Sequence, residues 1–302
     1  MRLNITNKLL SQLGNSGAKV MRDVSLANIT SFGIGGPADL LIRVETPEQI
    51  RSSLRTLANE EIPIYVLGSG TNVLISDKGF VGAIIKPVSR RLEPLRLNGF
   101  SVGSGRALRD VLDVAAKSGF SGGEDLIGIP GSVGGCIAMN AGAWGASISD
   151  ILRSVLVFDM NGDEIDIDLQ SSFEYRGFKY REKSVIAQSE IVFNEIRSPI
   201  DILEKMKEIE EKRASTQPIR ERSAGCIFKN PPDDHAGRLI EAVGLKGFSF
   251  RGAKISEIHA NFMVNSRNAK ASDIQFLIDE VIRKVYQEFD IELELEIIKL
   301  GF

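Results

Sequence analysis

Two glycine-rich stretches carry the most legible chemistry in the chain. One is Gly68-Ser69-Gly70-Thr71-Asn72; the other runs from Gly128 to Gly145, G-I-P-G-S-V-G-G-C-I-A-M-N-A-G-A-W-G. Glycine lets another molecule approach the main chain with no Cβ in the way. Successive exposed peptide N–H groups in such turns make a nest for phosphate or pyrophosphate. A tight connection between packed elements uses the same residues, so on glycine content alone both readings stand. The first stretch is not a dinucleotide fingerprint of the G-x-G-x-x-G type, because Val73 occupies the third glycine position. It also lacks the lysine of a P-loop.

Other chemistry is sparse. Cys136 and Cys226 are the only cysteines, and His235 and His259 the only histidines. No C-x-x-C spacing occurs, which argues against a disulfide framework or a thiolate metal site and fits a reducing cytoplasm. No metal site is expected. By itself a free cysteine is most often a small buried hydrophobe. Glu292, Glu294 and Glu296 alternate with apolar residues and read as the solvated face of a strand. Arg176 reads as a surface cation, and Arg213 as a charged helix end.

The elements that must position these residues follow from periodicity. Leu9, Leu10 and Leu13 predict a short amino-terminal helix ended by Gly14 and Gly17. Thr46-Pro47 opens a helix with an N-cap and a first-turn proline, and Ile50, Leu54 and Leu57 share one of its faces. Ile64–Leu67 predicts a buried strand feeding the first glycine turn, and 73–77 more strand. Strands are expected at 81–86 and 100–102, and a helix over 108–115 stopped by Gly119. Asn161-Gly162 predicts a hairpin between 154–159 and 164–168. After a strand at 185–196, Ser198-Pro199 marks a boundary. A helix over 201–213 turns Leu203, Met206 and Ile209 to the core. The last third predicts a helix at 236–243, a strand at 259–265, a long helix at 272–289 and a closing strand at 291–297.

The 302 residues suggest two or three domains. With 43% apolar and 25% charged residues the composition is that of a soluble globular protein. A net charge of −3 gives no global pull to nucleic acid or an anionic membrane. No apolar run is long enough to span a bilayer, and Met1–Thr6 lacks the apolar core of a secretory signal.

Five stretches, in fixed order over nearly the whole chain, resemble the UDP-N-acetylenolpyruvoylglucosamine reductase family. They are N-I-T-S-F-G-I-G-G-P-A-D (28–39), G-S-G-T-N-V-L-I-S-D (68–77), the run 128–145, A-G-C-I-F-K-N-P (224–231) and L-E-L-E-I (293–297). The resemblance implies reduction of an enolpyruvyl ether to a lactyl ether, giving the peptidoglycan precursor UDP-N-acetylmuramate with FAD and NADPH. It implies an α+β fold: an FAD-binding module of the vanillyl-alcohol oxidase type with a separate α+β substrate-binding domain. The domains expected are 1–78 and 79–198 as two FAD-binding subdomains, the first closed by 291–302, and 199–290 for substrate. The short chain resembles the family's second type, which lacks a substrate-covering insertion.

By that resemblance Gly68, Ser69, Gly70, Thr71 and Asn72 wrap the FAD diphosphate together with Pro130, Gly131, Ser132, Val133, Gly134 and Gly135. Asn140, Ala141, Gly142 and Ala143 approach the remainder of the cofactor. Both histidines lie beyond the expected flavin module, so the FAD is expected to be non-covalent. Cys226 stands at the proton donor's position, commonly serine in the family; a thiol, with a reference pKa of about 8.5, releases a proton more readily than an alkyl hydroxyl. The resemblance gives Glu296 a catalytic role near the enol, although Leu295 replaces the family's usual proline. It assigns Arg176 to the enolpyruvyl carboxylate, where a planar guanidinium binds in bidentate fashion. The usual Y-R-x-S is Tyr175-Arg176-Gly177-Phe178 here. Tyr175, Arg213, Gln217, Lys229 and Asn230 are substrate-side candidates. The expected partners are the UDP-sugar and NADPH, on a cytoplasmic monomer. An FAD-dependent oxidase or dehydrogenase of the same superfamily and a non-catalytic flavin- or nucleotide-binding protein are the alternatives.

Overall fold

The computed structural model describes Leu3 and residues 5–302. Met1, Arg2 and Asn4, part of the stretch read for a secretory signal, lie outside the described residues. By compactness the chain divides into two units. One comprises residues 1–23, 39–69 and 81–211; the other comprises 24–38, 70–80 and 212–302.

The two larger sheets of the first unit are accompanied by two cores. Its four-stranded sheet runs Lys19–Ser25, Pro37–Val44, Phe80–Pro87, Ile64–Val66 in spatial order. The last two are parallel, with Val66 opposite Ile85. The helix Pro47–Asn59 begins where Thr46 accepts from the Gln49 N–H at 3.3 Å, as the N-cap pattern predicts. Its Ile50, Leu54 and Leu57 join Leu40, Ile42 and Ile85 in one core. The short helix Asn7–Gly14 adds Leu9 and Leu13 to it.

The second sheet of this unit is antiparallel: Glu164–Ile165, Leu152–Asp159, Ser184–Val192, Gly99–Gly103, Leu92–Pro94. The hairpin at Asn161-Gly162 is present, with Gly162 at φ +84°. Helix Leu108–Lys117 packs Leu108, Val111, Leu112 and Ala115 into the second core and stops before Gly119. Helix Pro199–Thr216 differs in phase from expectation. Leu203 is exposed, and Ile202, Met206 and Ile209 take the inner face. They fit an i, i+4, i+7 stripe equally well, and single-sequence periodicity does not choose between adjacent phases.

The second unit is built on an antiparallel sheet, Ser223–Cys226, Phe262–Asn265, Ala253–Ile255, Ser249–Phe250. The long helix Ala271–Phe289 buries Ile274, Leu277, Ile278, Val281 and Val285. The strand expected at 259–265 starts only at Phe262, because His259 to Asn261 make a turn. The closing strand expected over 291–297 also differs. Regular pairing is confined to Ile298–Leu300, parallel to Val73–Ile75. Leu293 and Ile297 are nonetheless buried and Glu292 and Glu294 exposed, since extended backbone alternates its side chains whether or not a ladder forms. Among the described residues no helix is long and apolar enough to cross a membrane.

Candidate functional site

In the first unit the two glycine-rich stretches converge. The strand Ile64–Val66 delivers Leu67, whose N–H donates to the Ile85 carbonyl at 2.9 Å, and then Gly68. A Cβ on Gly68 would sit 2.6 Å from Ser132 Oγ in the second stretch, so any side chain here would have to displace that hydroxyl. Ser132 in turn caps the one-turn-and-a-half helix Val133–Ala138, accepting from Gly135 N–H at 3.4 Å. The same loop is sewn down on its other side: Val133 N–H donates to Arg106 and Gly134 N–H to Ser104, at 2.8 and 2.9 Å.

These loops border a cavity of about 590 Å³, lined by Gly68, Ser69 and Ser132 and by the cations Arg43, Lys86 and Arg90. Lys86 donates to the Gly68 carbonyl. Burial, aided by the like charge of Arg43, brings the Lys86 ammonium down to about 8. The N–H groups of Val133, Gly134 and Gly135 are taken up within the protein, so it is the small residues and the three cations, set against Glu45 alone, that suit a diphosphate. Ser104 Oγ is buried beside this loop with no hydrogen-bond partner among the described residues. The residues present therefore fit the diphosphate of a flavin dinucleotide.

A second cluster of the same unit joins the 140–143 segment to Arg176. The hairpin Phe173–Glu174 to Gly177–Phe178 carries Tyr175 and Arg176 at its tip, Arg176 at φ +57°. Arg176 Nη1 donates to the Gly142 carbonyl at 2.7 Å, and Asn140 Nδ2 to the Glu174 carbonyl at 3.0 Å. Asn140 Oδ1 is buried without a partner among the described residues, an acceptor ready for a ligand N–H. Tyr175 is exposed, its ring 5.5 Å from the Arg176 guanidinium carbon.

The second unit assembles Cys226 and Glu296. Glu296 N–H donates to the carbonyl of Ile227 at 2.8 Å, and Phe228 bridges Leu295. Cys226, at the end of Ser223–Cys226, is thus separated by one residue from the segment that holds Glu296. Asn72 Nδ2 donates to the Glu296 carbonyl at 3.0 Å, so part of the first glycine stretch belongs to this assembly. Gly70, at φ +70°, has Ile29 O where a Cβ would come within 2.5 Å. The two cysteines differ: Cys136 is fully buried, and burial pushes its thiol up to about 12, whereas Cys226 is half-buried.

The remaining candidates are spread around this second unit. Lys229 is paired with Glu294 at 3.1 Å, and Asn230 Oδ1 accepts from Ala236 N–H at 3.1 Å. Arg213 is buried, and its carbonyl accepts from Gln217 N–H at 2.9 Å. Sequence reasoning missed Arg43, Lys86 and Arg90. The available signal was Lys86, a lone cation ending the otherwise apolar 83–85 run at the carboxyl end of a strand. Ligands in parallel sheets gather at such ends.

Two family models match the chain. One, described as an FAD binding domain, covers residues 38–168. The other, the C-terminal domain of UDP-N-acetylenolpyruvoylglucosamine reductase, covers residues 217–300. The reductase of that name from Nitrobacter hamburgensis is 36% identical over 304 residues, covering 100% of this chain and 99% of the relative. That from Bacillus subtilis is 36% identical over 287 residues, covering 94% of each. The crystal structure of the UDP-N-acetylenolpyruvylglucosamine reductase from Thermus caldophilus superposes with a TM-score of 0.79 at 36% identity, covering 94% of this chain and 100% of that one. A grass pollen allergen with glucose dehydrogenase activity, Phl p 4, shares the fold over 62% of this chain and 44% of its own, with a TM-score of 0.50 at 14% identity.

Proposed function

Since the chain belongs to the UDP-N-acetylenolpyruvoylglucosamine reductase family, a flavin-binding oxidoreductase family, we propose that it reduces UDP-N-acetylglucosamine enolpyruvate to UDP-N-acetylmuramate, with FAD as cofactor and NADPH as hydride donor. The observation that carries this is the likeness to the reductases along the whole length of both chains. The bound flavin supplies hydride transfer between the nicotinamide and the vinyl carbon of the substrate.

The chain's own residues do the rest by position and charge. Gly68 to Asn72 and Pro130 to Gly135 hold the diphosphate, and Asn140 to Ala143 border the remainder of the cofactor. Arg176 binds the enolpyruvyl carboxylate and stabilises the negative charge that grows beside it. Glu296 assists at the enol, and the Cys226 thiol gives its proton to the neighbouring carbon. Tyr175, Arg213, Gln217, Lys229 and Asn230 serve the UDP-sugar. Both histidines lie outside the residues matched to the FAD-binding domain, which supports non-covalent flavin. In this reading 1–78 and 79–198 serve the cofactor, with 291–302 closing the first. Residues 199–290 serve the substrate, and the protein works as a cytoplasmic monomer.

The test is anaerobic. The purified yellow protein is reduced with NADPH, and the enolpyruvyl UDP-sugar is then added. Rapid reoxidation of the flavin is expected. If absorbance stays at the reduced level with the UDP-sugar but recovers with oxygen, an oxidase or dehydrogenase reading takes its place. A protein that NADPH cannot reduce is a flavin-binding protein without this activity.

A further inference from the structure

We infer that Lys86 is a positioning residue for the diphosphate cradle, setting the Gly68–Ser69 turn from behind. This rests on the reading that the first unit holds FAD. A trans peptide is planar, and its carbonyl oxygen and the following N–H point in opposite directions. The bond from Lys86 to the Gly68 oxygen therefore also sets the direction of the Ser69 N–H, which turns away from Lys86. Glycine at 68 has the freest backbone of any residue, so the peptide that follows it needs an external tether to hold one orientation. Ser132 Oγ confines the other side of the same glycine, at the 2.6 Å that a Cβ would reach.

The tether is specific to the fold. Lys86 extends a strand whose pairing with Ile64–Val66 is parallel, so the two strands end on the same side. Three apolar residues, Ala83, Ile84 and Ile85, precede it and are wholly buried. A cation at this strand end has lost much of its water, and a neutral residue would be the cheaper choice for stability. The charged groups lining the cavity with it are Arg43, Arg90 and Glu45, and of these Arg43 opposes its protonation. Arg106 donates to the Arg90 carbonyl but is itself paired with Asp110 at 3.0 Å. Burial first, and then the like charge of Arg43, bring the ammonium down to about 8. A diphosphate bound at the turn reverses the balance and favours the charged form, so binding takes up a proton.

The experiment uses the full-length chain, stripped of flavin and titrated with FAD by calorimetry at about pH 8.5, between the Lys86 value of about 8 and the ordinary 10.5. Repeating it in buffers of different ionisation enthalpy gives the protons taken up. The wild-type chain is expected to take up a fraction of a proton for each FAD bound. Lys86→Arg, always charged, is expected to bind FAD with little change in affinity and no uptake. Lys86→Met is expected to bind about tenfold more weakly, the order of one charge-assisted hydrogen bond. Absence of uptake in the wild type, equal uptake in Lys86→Arg, or Lys86→Met affinity equal to wild type would each overturn the inference. If Lys86→Met does not fold, judged by circular dichroism, the comparison of wild type with Lys86→Arg still decides. A wild-type chain that binds no FAD overturns the flavin reading and this inference together; normal binding with no dependence on Lys86 overturns only the inference.

Discussion

Cys226 and Cys136 have the same side chain in two environments. Cys136 is closed off in the core around the second glycine stretch, where its thiol is held far from ionisation. Cys226 is half-buried and lies one residue from the backbone that carries Glu296. Of the two, only Cys226 is partly accessible. Cys226→Ala should abolish turnover of the enolpyruvyl UDP-sugar while leaving flavin reduction by NADPH at its wild-type rate, and Cys226→Ser should retain part of the activity. Stopped-flow absorbance of the two half-reactions separates these outcomes; equal reoxidation in wild type and the alanine variant would remove Cys226 from the mechanism. His259 makes a second prediction at this scale. Burial first, and then Lys246, hold its imidazole below the usual value of 6.5. The folded state thus favours the neutral ring. Its contribution to stability is complete above about pH 6.5 and falls as the pH drops from there through the lower folded value. Denaturant unfolding between about pH 7 and pH 5 should lose stability with a slope that His259→Gln reduces.

Among the elements, the turns matter more than the regular strands. The first glycine stretch has a different constraint at each glycine: side-chain crowding from Ser132 at Gly68, and a positive φ beside the Ile29 carbonyl at Gly70. An L-residue in the left-handed region costs about 1–2 kcal/mol before any clash is counted. Gly70→Ala should therefore destabilise the protein by about 2 kcal/mol or more, measured by urea unfolding. A cost within about 0.5 kcal/mol would mean that the turn relaxes freely. Much of this scale was legible in the chain. The caps at Thr46 and Gly119 and the hairpin at Asn161-Gly162 follow from local chemistry, and they stand where spacing puts them. Leu203 does not, because a helix with apolar residues at 202, 203, 206 and 209 has two neighbouring faces to offer. The surface it packs against chose Ile202. The 291–297 segment shows the converse: its alternation was readable, but the number of ladder hydrogen bonds depends on what lies alongside.

For the molecule as a whole, the first unit's cavity has positive charge exceeding negative in a chain that is slightly acidic overall. Such local excess is tolerable when an anionic ligand offsets it. Removing the flavin should lower the melting temperature, and restoring FAD to about a hundredfold above its dissociation constant should return about 2.7 kcal/mol. A melting temperature indifferent to FAD, read by differential scanning fluorimetry, would contradict a diphosphate site in the first unit. Residue types and their local spacing determined the helix starts, the glycine turns, the hairpin and the five stretches that carry the family likeness, because each depends on neighbours within a few positions. Lys86 against Gly68, Arg176 against Gly142, and Ile227 against Glu296 are separated by 18, 34 and 69 positions, and periodicity holds no information at that range. Those pairings were decided by strand order and loop closure, which bring residues together according to which apolar faces must be buried.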